Sequence, residues 1–298
     1  MARKRDVVIA VIVGISSLIA IGFFGLIFIG VFLSDDGVSF GGFGEKIAVI
    51  DVYGTISESE ETIDELKKWG ESPGVKAIVI HVNSPGGAVA PSQEIYNEIL
   101  RIREQEGKIV IVSMLNVAAS GGYLISCAAD KVMANPGTIT GSIGVILQYP
   151  TAGELFKKVG VSYQTIKSGE LKDVGALDRP ITENERNMLT AMVMDTYEQF
   201  VDVVVEGRGL DREDVYDLAD GSIFSGAQAY ELGLVDTLGG FEDAIRYAAD
   251  LAGIEGEPTI IETYKRKGGF LDMLGSLMGK VEKISTGDFG GPRVMYLY

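Results

Sequence analysis

Ala77-Ile-Val-Ile-His-Val-Asn-Ser-Pro-Gly-Gly87 decides the fold, because an unbroken apolar run rich in β-branched residues ends abruptly in turn residues and paired glycines. A run of that length, apolar at nearly every position, is the signature of a strand covered on both faces. Outward from it, residues 46–51 (KIAVID) and 109–114 (IVIVSM) repeat the pattern, while residues 60–69 and 92–103 carry apolar side chains at helical spacing. Strands separated by helices of about 10 to 15 residues predict βαβ units and a mostly parallel sheet, so the class is α/β. Farther along, residues 182–206 predict a long helix, with Thr182 as N-cap and Glu185 in the capping-box position. Met188, Met192, Tyr197 and Val204 are its expected core-facing side chains.

The chain has 298 residues, 46% hydrophobic and 23% charged, which excludes a disordered polymer. Forty-two acidic against twenty-six basic residues give a net charge of −16, and such a surface repels phosphate backbones. No nucleic-acid partner is expected. A single cysteine, Cys127, excludes an intramolecular disulfide, and no Cys/His cluster suggests a metal or a metal-bound cofactor. One histidine, His81, stands alone as a candidate imidazole base. It lies inside the strand pattern, two residues before Asn83, and is expected to be structural.

From Val7 to Leu33 there are 27 residues without a charged side chain, enough for a helix of about 40 Å against a hydrocarbon core of about 30 Å. Arg3, Lys4 and Arg5 precede this run and Asp35 and Asp36 follow it, which predicts a retained anchor with a cytoplasmic N-terminus and an extracytoplasmic bulk. The predicted organisation is an anchor over residues 1–36, a Gly-rich spacer over 37–45, a catalytic domain over 46–267 and a C-terminal region over 268–298. In that last region residues 270–284 have amphipathic helical spacing. The apolar ending Val294-Met-Tyr-Leu-Tyr298 is suited to pairing with a sheet edge or lying in a neighbour's groove.

Two glycine-rich turns are candidates for chemistry. Asn83-Ser-Pro-Gly-Gly87 follows a strand and leaves backbone N–H groups free to face a cleft, as an oxyanion hole requires, although the same residues also make an ordinary turn. Val117-Ala-Ala-Ser-Gly-Gly-Tyr123 places Ser120 at a strand-to-helix junction, where it reads either as a nucleophile cleared of bulky neighbours or as an N-cap. With His81 set aside, a lysine is the alternative base, since burial lowers an amine pKa. Lys131, Lys167 and Lys172 are the candidates, Lys131 also being placed to pair with Asp130. Cys127, among alanines and seven residues beyond Ser120, reads as core.

In their order along the chain these pieces resemble the signal peptide peptidase A family, membrane-anchored serine-lysine peptidases of the Clp/crotonase-like fold, built of repeated ββα units. The resemblance rests on the N-terminal apolar run, on residues 82–87 and 118–123, and on Asn135-Pro-Gly-Thr-Ile-Thr-Gly-Ser-Ile-Gly144. It extends through Lys167-Ser-Gly-Glu-Leu-Lys-Asp173 and residues 224–236. It implies that Ser120 is the nucleophile, Lys172 and not Lys167 the general base, and Ser142 the hydroxyl that orients the lysine. Gly87 and Gly121 would supply the oxyanion-hole N–H groups.

The resemblance further implies homo-oligomers with sites completed between neighbours, contact with membrane lipid through the N-terminal helix, and signal-peptide-like apolar peptides as substrates. Two alternatives remain open. One is a serine-lysine protease dedicated to a single membrane-protein partner. The other is a crotonase-like acyl-CoA enzyme, which needs an oxyanion hole but neither Ser120 nor Lys172.

Overall fold

A computed structural model of the protein describes residues 45–262 and 293–297, together with the single helical position Gly22. The expected anchor, apart from Gly22, and the amphipathic segment over 270–284 lie outside the described residues. Among the described residues no helix is long and apolar enough to cross a membrane.

The fold is mixed α/β around a central sheet. Strands β1 (Lys46–Tyr53), β2 (Val75–Ser84), β4 (Ile109–Ala119), β5 (Lys131–Ala134), β9 (Thr237–Leu238) and β10 (Thr259–Glu262) lie in the order β10-β1-β2-β4-β5-β9, every pair parallel. Period-two alternation divides their side chains between two cores. Ala48, Ile50, Ile78, Ile80 and Val112 point to one face, and Ile47, Val49, Ala77, Val79 and Ile111 to the other. The second face is covered by the helix Phe241–Ala252, through Ala244, Ile245, Ala248 and Ala249. Against the first face pack α1 (Glu60–Gly70), α2 (Val89–Gln105), α3 (Gly121–Ser126) and, after the short α4 (Gly153–Lys158), the long α5 (Glu183–Arg208). Truncating any fully buried isoleucine of these strands to alanine would cost about 2–5 kcal/mol.

The capping box expected at the start of α5 is present: Thr182 Oγ1 accepts from the Glu185 amide, and the Glu185 carboxylate accepts from the Thr182 amide at 2.7 Å. Its core face differs in part from the expected one. Val204 is buried and Tyr197 packs partly buried against the core as expected, but Met188 and Met192 are exposed, and Thr196, Phe200 and Val201 are buried besides. Helix α2 starts at Val89, ahead of the expected Ser92, because Pro91 falls in the first turn, where a missing N–H costs no hydrogen bond.

Strand β4 runs past its expected end at Met114 to Ala119. Its last three residues pair with β6 (Ile139–Gly141), which in turn pairs antiparallel with β8 (Ile223–Ser225). A separate three-stranded sheet places β11 (Arg293–Leu297) between β3 (Gly86–Ala88) and β7 (Ile146–Gln148), antiparallel to both. The apolar C-terminal stretch therefore adds itself as a strand, and it does so within its own chain.

Candidate active site

The ends of two neighbouring strands build the centre of the site. In the β4–β6 ladder Ala119 stands opposite Gly141, so the next residues, Ser120 and Ser142, emerge side by side. Both have positive φ, 52° and 50°, and they are the two non-glycine residues with this conformation among the described residues. Left-handed backbone at a residue with a Cβ is strained, and it persists where the surrounding structure fixes it. Hydrogen bonds on both sides do so here. The Ser120 amide donates to Gly141 O at 2.8 Å, and the Ser142 amide donates to Ser222 O at 2.7 Å.

Ser120 is fully buried, and its hydroxyl has no hydrogen-bond partner. It occupies the N-cap position of α3 without making a side-chain cap. The reading of this serine as an N-cap therefore fails on geometry. A buried hydroxyl left unpaired costs free energy that a bound group facing it would restore.

Gly121, the residue after Ser120, packs against Gly87. A Cβ on Gly121 would lie 3.2 Å from the Gly87 nitrogen and 2.7 Å from Ser92 Oγ, so the two glycines are in direct apposition. A Cβ on Gly87 would collide with the Ile56 carbonyl, to which β3 is bridged by Ile56 N to Gly86 O at 2.9 Å and Ala88 N to Ile56 O at 2.7 Å. Ser92, whose Oγ donates to Ala88 O at 2.9 Å, steadies the same turn. This helper was missed in the sequence because a serine four residues after an alanine in a helix carries no distinctive signal.

Lys172 is placed differently. It sits on a one-turn 3-10 helix, Glu170–Asp173, exposed to solvent, and is not a partner of Ser120 Oγ. Lys167 is committed elsewhere: its ammonium donates to Asp173 at 2.6 Å and to Glu170 O at 2.8 Å. Asp173 also pairs with Arg179 at 2.8 Å, and Arg179 forks onto both oxygens of Glu185. Hydrogen bonds from Lys167 and Arg179 pull the Asp173 carboxyl down to about 2, and Arg179 with the Thr182 amide does the same to Glu185, also to about 2. The turn bearing Lys172 is thus tied to the capped start of α5. Of this network only Glu185 had a sequence signal, the capping box.

The remaining candidates fall away from the site. Lys131 pairs at 3.1 Å with Asp236, not with the adjacent Asp130, which holds Arg103. His81 belongs to the sheet face covered by the helix Phe241–Ala252, stacked on Phe241 with ring centroids 4.6 Å apart, and its Nδ1 shares a hydrogen bond with Tyr53. Burial lowers its pKa against the pull of the nearby Asp51 carboxylate, and the ring lies on the sheet face opposite α3. Cys127 is fully buried, and burial raises its thiol to about 12, which removes the thiolate needed for attack. Among the described residues no cluster of three or more His, Cys, Asp or Glu side chains is arranged to hold a metal ion.

Strand β11 fills the slot between β3 and β7: Gly87 stands opposite Tyr296, and Ile146 and Ala88 both stand opposite Met295.

The sequence profile described as peptidase family S49 matches residues 102–255, and that described as Clp protease matches residues 48–140. A Synechocystis protein named as a candidate protease is 44% identical over 220 residues, 74% of this chain and 79% of its own. An Enterococcus faecium protein named as a candidate signal peptide peptidase SppA is 38% identical over 226 residues, 72% of this chain and 65% of its own. The chloroplastic serine protease SPPA of Arabidopsis thaliana is 31% identical over 253 residues, 80% of this chain but 37% of its own length.

Proposed function

The chain belongs to peptidase family S49, and on that premise we propose that it is a membrane-bound serine endopeptidase that cleaves extended apolar peptides, remnant signal peptides among them. The observation that carries the reading is the buried, unpaired Ser120 hydroxyl beside the apposed N–H groups of Gly87 and Gly121. In this reading Ser120 Oγ attacks the peptide carbonyl, and the developing oxyanion rests on the two backbone donors. Neutral Lys172 takes the serine proton and returns it to the leaving amine, after which water hydrolyses the acyl-enzyme. Ser142, beside Ser120 at the end of β6, orients the amine.

One chain does not bring the two halves together, because Lys172 is exposed and Ser120 Oγ has no partner. The lysine is supplied by a neighbouring copy in a homo-oligomer. The segment carrying it supports this, since Leu155, Val159, Val161, Tyr163 and Ile166 are all exposed there and are suited to burial against another subunit. Burial in that contact is also what would lower the lysine pKa to a useful value. The N-terminal apolar run anchors the assembly with the catalytic part outside the cytoplasm, where apolar peptides leave the bilayer.

The test is hydrolysis of an apolar fluorogenic peptide by the full chain in mild detergent, compared among wild type, Ser120→Ala, Lys172→Ala and Lys167→Ala. Loss of at least about a thousandfold is expected for the first two variants, with Lys167→Ala retaining most activity. A folded Ser120→Ala protein with full activity would overturn the assignment.

A further inference from the structure

Beside β7 an open cavity of about 260 Å³ is lined by Leu147, Tyr149, Ile181, Arg186, Leu189, Thr190 and Val193. Leu147 lies in β7 and Tyr149 just past its end, and both face the cavity. The other wall is the first three turns of α5. Directly opposed residues of an antiparallel pair also share a face. The position paired with Leu147 is 294, and the position paired with Gly87 is 296, so these two positions of any chain in the slot lie on the cavity side.

Arg186 is the anomaly in this cavity. Apart from Thr190, every other residue of its wall is apolar or aromatic, and among the described residues the guanidinium has no carboxylate partner, although the chain carries a net −16. It also stands in the first turns of α5, where the helix dipole disfavours a cation. The side chain is exposed, so its charge is solvated and open to an incoming group. An arginine over an apolar pocket suits a side chain with a methylene stem and a carboxylate end.

We propose that this cavity is a substrate subsite that takes an acidic side chain, glutamate foremost, and that Arg186 is the specificity-determining residue. The proposal rests on the peptidase reading above, because it takes a substrate to run between β3 and β7 as β11 does. Selection falls on the substrate position opposite Leu147, two residues from the one opposite Gly87. It gives an enzyme for apolar chains a preference for a single acidic residue at one register.

Binding and turnover are read separately. A set of fluorescent apolar ten-residue peptides, each with one Glu, one Gln or one Lys moved along the sequence, is titrated by anisotropy against the full-length Ser120→Ala chain, alone and with Arg186→Gln or Arg186→Glu. The same peptides are offered to the wild-type enzyme for hydrolysis. Glu is expected to bind roughly fivefold tighter than Gln at one position or at alternate positions, the preference shrinking at high salt. Arg186→Gln should abolish that difference at those positions only, and Arg186→Glu should replace it by a preference for Lys. Thermal unfolding should be unchanged or slightly raised in both variants, as expected on removing a cation from a helix start. Equal binding of Glu and Gln peptides at every position, or an unchanged pattern in both Arg186 variants, overturns the subsite. Register-specific binding without hydrolysis by wild type would uphold the subsite and instead overturn the peptidase reading.

Discussion

Ser120 and Lys172 belong to regions of opposite construction. The serine stands where a parallel sheet meets a helix, fully buried, its amide donating to Gly141 O of the neighbouring strand and its carbonyl accepting from the Leu124 amide of α3. The lysine stands on a single 3-10 turn, exposed, in a stretch from 151 to 182 where no residue is buried and order comes from charged side chains. One region is shaped by apolar burial and is insensitive to salt and pH. The other is held by ion pairs at the surface, individually weak, and presents its apolar side chains to solvent. On the reading proposed above, a site divided in this way has its nucleophile preformed in each chain and its base supplied only where chains meet.

The sharpest way to break that contrast is to mix inactive chains. Co-assembled Ser120→Ala and Lys172→Ala proteins should regain activity, approaching about a quarter of the wild-type sites if subunits mix at random around a closed ring. No recovery in a verified mixed oligomer would place both residues of one site in the same chain. Next in size is Gly121→Ala, whose added methyl meets Ser92 Oγ and the Gly87 amide. A fall in kcat of about 10²–10³ is expected, with circular dichroism unchanged, as for loss of one oxyanion donor.

Acid should separate the two regions. Asp173 and Glu185 have pKa values pulled down to about 2, so their contribution to stability is complete above the ordinary carboxylate range near 4 and is lost as pH falls from about 4 to about 2. Limited acid proteolysis should therefore cut within residues 160–180 at a pH where the sheet strands still resist hydrogen exchange. Cutting that begins in both regions together would contradict the comparison. The smallest effect is expected from deleting residues 293–298. Opening the slot between β3 and β7 should raise kcat/KM for short peptides a few-fold, about what displacing a short paired strand requires.

The sheet was legible because its strands are continuous apolar runs: 46–51, 77–82 and 109–114 all lie within observed strands. The long helix was legible from its cap. The far end of β4 was not, since Leu115-Asn-Val-Ala-Ala119 mixes polar and small residues and pairs with the end of β2 across a register shift and with a three-residue strand that has no signal of its own. The adjacency of Ser120 and Ser142 depends on that ladder, so spacing alone gave no hint that residues 22 apart lie side by side. Ion pairing of Lys167 was equally invisible, because Asp173 and Arg179 look like ordinary loop charges until the turn brings them together.

The strand between β3 and β7 has a kinetic consequence. Thirty residues, 263–292, join β10 to β11, and tethers of such length hold an attached segment at a local concentration on the order of millimolar. A free peptide present at micromolar levels must compete with that built-in occupant, and its apparent affinity falls in proportion. The enzyme then responds little to scarce or weakly pairing chains. Half-maximal throughput is thereby shifted toward peptide levels comparable to that local concentration, so the tail tunes the enzyme to abundant chains and against traces.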